Sequence, residues 1–377
     1  MIYLDNAAST PLENEVLAVM QDSLGKHFAN PSSQHAAGRL AKSQIELARR
    51  KIAQHLSCKP AEIIFTSSGT EANNLAIHAA VYDLGVKRFI SSPLEHHAVL
   101  HTLEHYAKGH HIELVLLPVN AEGEINLADL QKLLTENVPT LVSLMHANNE
   151  IGTLLPFQEV ASLCKANGAF FHSDTVQTLG HYSIDLQQTP LDFMTCSAHK
   201  FHGPKGVGFL FKRENLRIQT LLHGGGQERG LRSGTENTPA ILGMGVALDL
   251  AYQNLSQHQS YIQGLKNNLW QGIQALFPDA MLNGTKEGLY TVLNVQFPSF
   301  SQGELLLFML DMKGLAVSGG SACSSGANKG SHVLRACGKN PDFPSLRFSF
   351  SHHNTQTEIA ETLDILKAVY LEQVQNT

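Results

Sequence analysis

Between residues 60 and 212, short apolar runs alternate with segments of helical character, and this rhythm constrains the fold more than any other feature of the chain. Such alternation marks an α/β sheet. The candidate strands are Glu62–Thr66, Arg88–Ser92, Glu113–Leu117, Thr140–Met145, Ala169–Asp174, Asp192–Ser197 and Val207–Phe211. Most are separated by enough chain for a crossover helix and are expected to run parallel. The last two are joined by only nine residues, fewer than the dozen or so a parallel connection needs, so the seventh strand is expected to be antiparallel.

A Gly-rich stretch, HGGGQERGLRSGTEN (His223–Asn237), leads into one long helical region over about Pro239–Phe277. Strand-like YTVLNVQF, helical GELLLFMLDM, helix-like HVLRA, strand-like SLRFSFS and a last helix from about Thr355 follow, the pattern of a smaller α+β unit. A chain of 377 residues exceeds what one core usually serves. Two domains are therefore expected: 16–254 as the large α/β domain, and 255–377 together with 1–15 as the small one.

Composition excludes several classes. With 43% hydrophobic and 16% charged residues the chain reads as a soluble globular protein, and a net charge of −6 gives no reason to expect nucleic acid or an anionic membrane as partner. The opening MIYLDNAASTP lacks the basic and apolar regions of a signal peptide, and no apolar run approaches the ~20 residues that span a bilayer. Five scattered cysteines, an odd number, suit a reducing compartment, so a cytoplasmic location is expected. The 20 histidines include the pairs His96-His97, His110-His111 and His352-His353, but no HExxH or Cys/His grouping has ligand spacing, and no metal site is expected.

In open α/β sheets ligands bind beyond the carboxyl ends of the parallel strands. Here those ends are rich in polar residues. The first strand runs into SSGTEANN, where backbone N–H groups of Ser68, Gly69 and Thr70 at a helix N-terminus suit an anion. The second ends near Glu95 and His96, the fourth near Asn149 and Glu150, and the fifth near Asp174 and Gln177. Each alone reads as a turn or cap residue; together they converge on one edge. The sixth strand delivers Ser197, His199 and Lys200, and a lysine between an apolar strand and a Pro/Gly turn tends toward the neutral, nucleophilic amine. Lys205 is a rival that position alone leaves open. A lysine for an aldehyde, a carboxylate for a ring nitrogen at Asp174 and donors for a phosphate match the needs of pyridoxal 5'-phosphate (PLP).

With these motifs in order, the chain resembles the cysteine desulfurases, class V aminotransferase-type PLP enzymes of fold type I. The resemblance runs from YLDNAASTP through FTSSGTEANN, LEHHAVL, MHANNEIG, HSDTVQ, SAHKFHGPKGVG, HGGGQERGLRSGTEN and SGGSAC to LRFSFS. The segment SACSSG followed by HVLRA resembles the long-loop NifS/IscS-like group, which serves iron–sulfur cluster assembly and nitrogenase maturation.

The resemblance implies that Lys200 holds PLP and removes the substrate α-proton, that His96 stacks on the ring, and that Asp174 and Gln177 contact the ring nitrogen and hydroxyl. It implies Gly69, Thr70, Ser197 and His199 around the phosphate, with Thr235 donated across a homodimer interface so that active sites are shared. Asn149 and Arg347 match holders of the substrate carboxylate. The implied nucleophile is Cys323, on the small-residue loop 318–330; its thiolate takes sulfur from L-cysteine as a persulfide, alanine leaves, and an acceptor protein receives the sulfur for iron–sulfur assembly or tRNA thiolation. The other four cysteines read as structural thiols.

The chain departs from the family pattern at Asn328-Lys329-Gly330, where Leu-Glu-Pro is common, and at Ser351-His352, where Gly-Arg is usual. It also ends at EQVQNT, without the longer tail that helps dock a scaffold in the iron–sulfur group. The same apparatus would serve a selenocysteine or cysteine sulfinate lyase, a transaminase, or an inactive PLP-fold binding subunit.

Overall fold

The computed structural model describes residues 1–300, 303–319 and 330–375. After a short strand β1 (Ile2–Tyr3) and two helices, α1 (Asn14–Lys26) and α2 (Ala36–His55), the seven expected strands follow. They are β2 (Ile63–Thr66), β3 (Arg88–Ser91), β4 (Glu113–Leu116), β5 (Thr140–Ser143), β6 (Phe170–Asp174), β7 (Phe193–Ser197) and β8 (Gly208–Lys212). They form one sheet in the order β2-β8-β7-β6-β5-β3-β4. Six strands share a direction; β8 is antiparallel to both β2 and β7, as its short connection requires.

Helices α3 (Gly69–Tyr82), α4 (His97–His110), α5 (Leu127–Leu134) and α6 (Phe157–Ala166) are the crossovers. Helix α3 buries Ala72, Leu75, Ala76 and Ala79, a 3–4 spacing that lays one small-residue face on the sheet. Two glycines permit close approach where the sheet meets α3. A Cβ at Gly208 would stand 2.3 Å from the Cys196 carbonyl oxygen, and one at Gly69 would stand 2.9 Å from Val176 Cγ2.

The expected helical region consists of two helices, α7 (Thr238–Gln253) and α8 (Leu255–Leu276). The break is at Asn254, whose backbone N–H and side-chain Nδ2 both donate to the Leu250 carbonyl, at 3.2 and 3.0 Å. An asparagine that bonds its own preceding turn competes with the helix ladder. Helix α7 is buried nearly all round and packs on α1 and α2, while α8 turns its Ile262, Leu265, Leu269 and Ile273 to a second core.

That second core lies on a three-stranded antiparallel sheet, with β9 (Met281–Asn283) and β10 (Val292–Gln296) paired and a third strand, Ser345–Ser349, on the far side of β10. Helix α9 (Gly303–Met312), strand β11 (Leu315–Ala316), helix α10 (His332–Ala336), that third strand as β12 (Ser345–Ser349) and helix α11 (Gln356–Gln375) complete it. The first strand returns here: β1 pairs in parallel with β11, and Asn6 Nδ2 donates to the Ser349 carbonyl at 2.9 Å. Ile2 and Leu4 therefore belong to the second core, whereas Val16 packs in the first. No helix among the described residues is long and apolar enough to cross a membrane.

Candidate active site

A cleft of about 290 Å³ opens at the carboxyl ends of the parallel strands, at the small end of ligand pockets (roughly 300–1,000 Å³). The ends of β2, β3, β5, β6 and β7 contribute to it because the turn after a parallel strand must leave the sheet there.

After β2, Ser68 caps α3: its hydroxyl accepts from the Glu71 N–H at 3.2 Å. The first N–H groups of α3 have no acceptor within the helix, so Gly69 and Thr70 present donors and the positive end of the helix dipole to the cleft. After β3, His96 caps α4, its Nδ1 accepting from Ala98 N–H at 3.1 Å. That bond places the ring proton on Nε2 and leaves it to donate. Burial lowers the pKa of His96 below the ordinary imidazole value, so the ring is neutral at pH 7.

Asp174 closes β6 and is buried; its Oδ2 accepts from Asn73 Nδ2 at 2.7 Å and its Oδ1 from Val176 N–H at 3.0 Å. Gln177 lines the same wall and donates to the Ala7 carbonyl at 3.1 Å. After β7, a single turn, Ala198–Lys200, carries Ser197, His199 and Lys200 into the cleft. Lys200 is half-buried, and its Nζ donates to the Ala7 and Ala8 carbonyls at 2.6 and 2.9 Å. His199 is held neutral, at about 4, chiefly by burial and then by the nearby Lys200 and Lys205 charges. Lys205, the rival, is exposed beyond the Pro204 turn and does not line the cleft.

The small unit supplies the opposite wall. Arg347 on β12 is 1% exposed, not a surface arginine: its Nη1 donates to the Asn149 carbonyl at 2.9 Å and its Nη2 to Asp5 at 2.7 Å. Its Nε is buried with no partner among the described residues. Asn149 lines the cleft beside it. Thr235 is exposed and outside the cleft of this chain, and Cys323 lies outside the described residues.

Sequence reasoning passed over Asn73, the Ala7 and Ala8 carbonyls, and His332, all of which line the cleft. Asn73 stands in the quoted SSGTEANN, four residues into α3, where one turn of helix aims it at the sheet edge. Backbone carbonyls leave no mark in a sequence.

The remaining cysteines are poor nucleophiles. Burial raises the thiol pKa of Cys58 to about 12 and of Cys337 to about 11, and raises Cys164 and Cys196 further. Only a thiolate attacks, so these four stay inert near neutral pH.

The residues fit PLP. Arg347 Nε and Asn73 Oδ1 are orphaned buried atoms of residues that line the cleft, and the neighbouring set pairs an amine, a carboxylate and an anion-binding helix end. A lysine and a buried carboxylate at the carboxyl edge of a seven-stranded, mostly parallel sheet define the fold-type I architecture of PLP-dependent transferases. The chain belongs to the aminotransferase class-V family, whose model matches residues 2–361.

Within that family its relatives are desulfurases. It is 41% identical over 373 residues to the cysteine desulfurase IscS of Dictyoglomus turgidum, covering 98% of this chain and 94% of that protein. A solved NifS-like protein superposes with a TM-score of 0.90 at 34% identity, covering 98% of each chain. A structure titled SspA in complex with cysteine gives 0.81 at 32% identity, covering 94% of this chain and 100% of that one.

Proposed function

We propose that the protein is a PLP-dependent cysteine desulfurase that converts L-cysteine to L-alanine and carries the sulfur as a persulfide on Cys323. The observation that most supports this reading is that Lys200 and the buried, hydrogen-bonded Asp174 line one cleft. The relatives named above act in the same direction, and one of them is titled as a cysteine complex.

When bound, PLP supplies an aldehyde that takes up amines and a ring that accepts the electron pair left by a broken Cα–H bond. In this reading Lys200 holds the cofactor and then moves the proton at the substrate Cα. Asp174, fixed by Asn73 and Val176, holds a proton on the ring nitrogen; Gln177 meets the ring hydroxyl. Gly69, Thr70, Ser197 and neutral His199 bind the phosphate, joined by Thr235 from a second copy in a homodimer. Asn149 and Arg347, which line the cleft together, orient the substrate carboxylate. His96 stacks on the ring and donates from Nε2.

The Cys323 thiolate then attacks the substrate Sγ. The new S–S bond forms as the Cβ–Sγ bond breaks, and the released electron pair at Cβ takes a proton, giving alanine. The persulfide passes to an acceptor protein in the cytosol. We read 16–254 and 255–377 with 1–15 as the two domains that carry these halves of the site.

The test uses L-[35S]cysteine. Wild type should release alanine and label Cys323, and Cys323→Ala should lose sulfur transfer while keeping the cofactor absorbance. Full-rate sulfide formation by Cys323→Ala defeats the reading, as does a Lys200→Ala variant that still attaches PLP covalently.

A further inference from the structure

Outside the cleft, three imidazoles converge on one carboxylate. Glu13 Oε1 lies 2.9 Å from His352 Nε2, 3.4 Å from His353 Nε2 and 3.8 Å from His202 Nδ1. The ring of His258 stacks on His352, with centroids 4.0 Å apart and planes within 5°. One ligand atom each from Glu13, His202 and His353 lies within 4.8 Å of the others, and among the described residues no other such group occurs. These residues come from three segments far apart in the chain, so no sequence spacing announces them, although His352 is one of the two departures at Ser351-His352.

We propose that Glu13, His202, His352 and His353 form a binding site for a divalent cation of the zinc type, one that prefers imidazole nitrogen and carboxylate oxygen. The donor set is that of a borderline ion, with no thiolate and a single charge. Bonds of about 2.0–2.2 Å to such ligands require their atoms to draw a little closer than in the described geometry, and His353, half exposed, is free to swing inward.

His202 faces Glu13 with the same Nδ1 that lies 2.9 Å from the Pro11 carbonyl, so binding an ion through Nδ1 exchanges that hydrogen bond for a bond to the metal. His202 also sits at φ +64°, a left-handed conformation uncommon outside glycine. Beside the cluster, a cavity of about 140 Å³ lined by Glu13, His202, His258 and His352 has room for water ligands.

The experiment titrates Zn²⁺ into the PLP-loaded protein against a chromophoric chelator, and records the visible spectrum with Co²⁺ in its place. One ion per chain is expected, with affinity at least tenfold weaker in His353→Gln, a half-exposed position, and in Glu13→Gln. Bound Co²⁺ should show d–d bands without thiolate-to-metal charge transfer. Retention of no Zn²⁺, equal affinity in wild type and both variants, or a thiolate band that places the ion on a cysteine would each overturn the proposal.

Discussion

Asn73 Nδ2 stands 2.7 Å from Asp174 Oδ2, a buried bond that joins helix α3 to the end of β6 beneath the cleft. Asn73→Ala removes a hydrogen bond to a carboxylate, worth about 1.5–3 kcal/mol. The expected outcome is a loss of that size in urea unfolding of the apoprotein, with PLP bound at least tenfold more weakly. A fluorescence titration with PLP reads the second effect.

Ser331 has two bonds: its hydroxyl donates to the buried Glu150 at 2.5 Å and, as cap of α10, accepts from the Leu334 N–H at 3.0 Å. Ser331→Ala is expected to cost about 1 kcal/mol and to leave a carboxylate short of a donor beside the cleft. Cofactor absorbance should be unchanged while steady-state alanine production falls several-fold.

Arg49 and Glu228 form a two-pronged ion pair at 2.8 and 2.7 Å, both side chains nearly inaccessible, and Glu228 also accepts from the Phe65 N–H at 2.9 Å. The pair pins the Gly-rich stretch to α2 and β2. Glu228→Gln leaves the buried guanidinium with Glu46 as its remaining carboxylate, 3.1 Å from Nε, and the broken buried pair costs up to about 3–5 kcal/mol. Guanidinium chloride denaturation should show the midpoint falling accordingly, with the slope retained.

His172, in the centre of the large sheet, is bonded to the Ser143 and Thr195 hydroxyls at 2.8 and 3.2 Å, and burial lowers its pKa to about 4. His146 and His181 are lowered to about 4 for the same reason. Between pH 6.5 and 4 the unfolded chain binds protons on these rings that the folded chain does not, so stability is full above 6.5 and falls as the pH drops through that window. Each ring contributes a slope of up to about 1.4 kcal/mol per pH unit. Unfolding free energies measured at several pH values should steepen below 6.5, and His172→Gln should remove about one proton from the slope.

The large sheet was legible because each strand is a local signal, an apolar run closed by polar residues, and the placement of ligand sites beyond strand ends then gathered Thr70, His96, Asp174 and Lys200 in one place. Lys200 and Lys205 were not separable by position, since both flank the same Pro/Gly turn; the fold separates them by carrying Lys205 past the turn into solvent. Helices α1 and α2 lie before the alternating region from which the fold was read, although the Ala41, Ile45, Ala48 and Ile52 spacing on α2 is helical. The break at Asn254 depends on one side chain choosing its own turn, a competition that periodicity does not register. The Glu13 cluster and the Ala7 and Ala8 carbonyls depend on contacts between distant segments, which only the folded chain brings together.

The parallel pairing of Ile2–Tyr3 with Leu315–Ala316 has a consequence for biosynthesis. During translation the large sheet has all its strands once Lys212 has left the ribosome, yet the partner of β1 emerges roughly a hundred residues later, some ten seconds at ~5–20 residues per second. Until then the Ala7 and Ala8 carbonyls that receive the Lys200 amine lack the support of the β1–β11 pairing and of the Ser349 contacts to Asn6 and Ala7. Nascent chains would thus pass through a stage with a finished scaffold and an open cofactor site, in which the first residues made are among the last to dock.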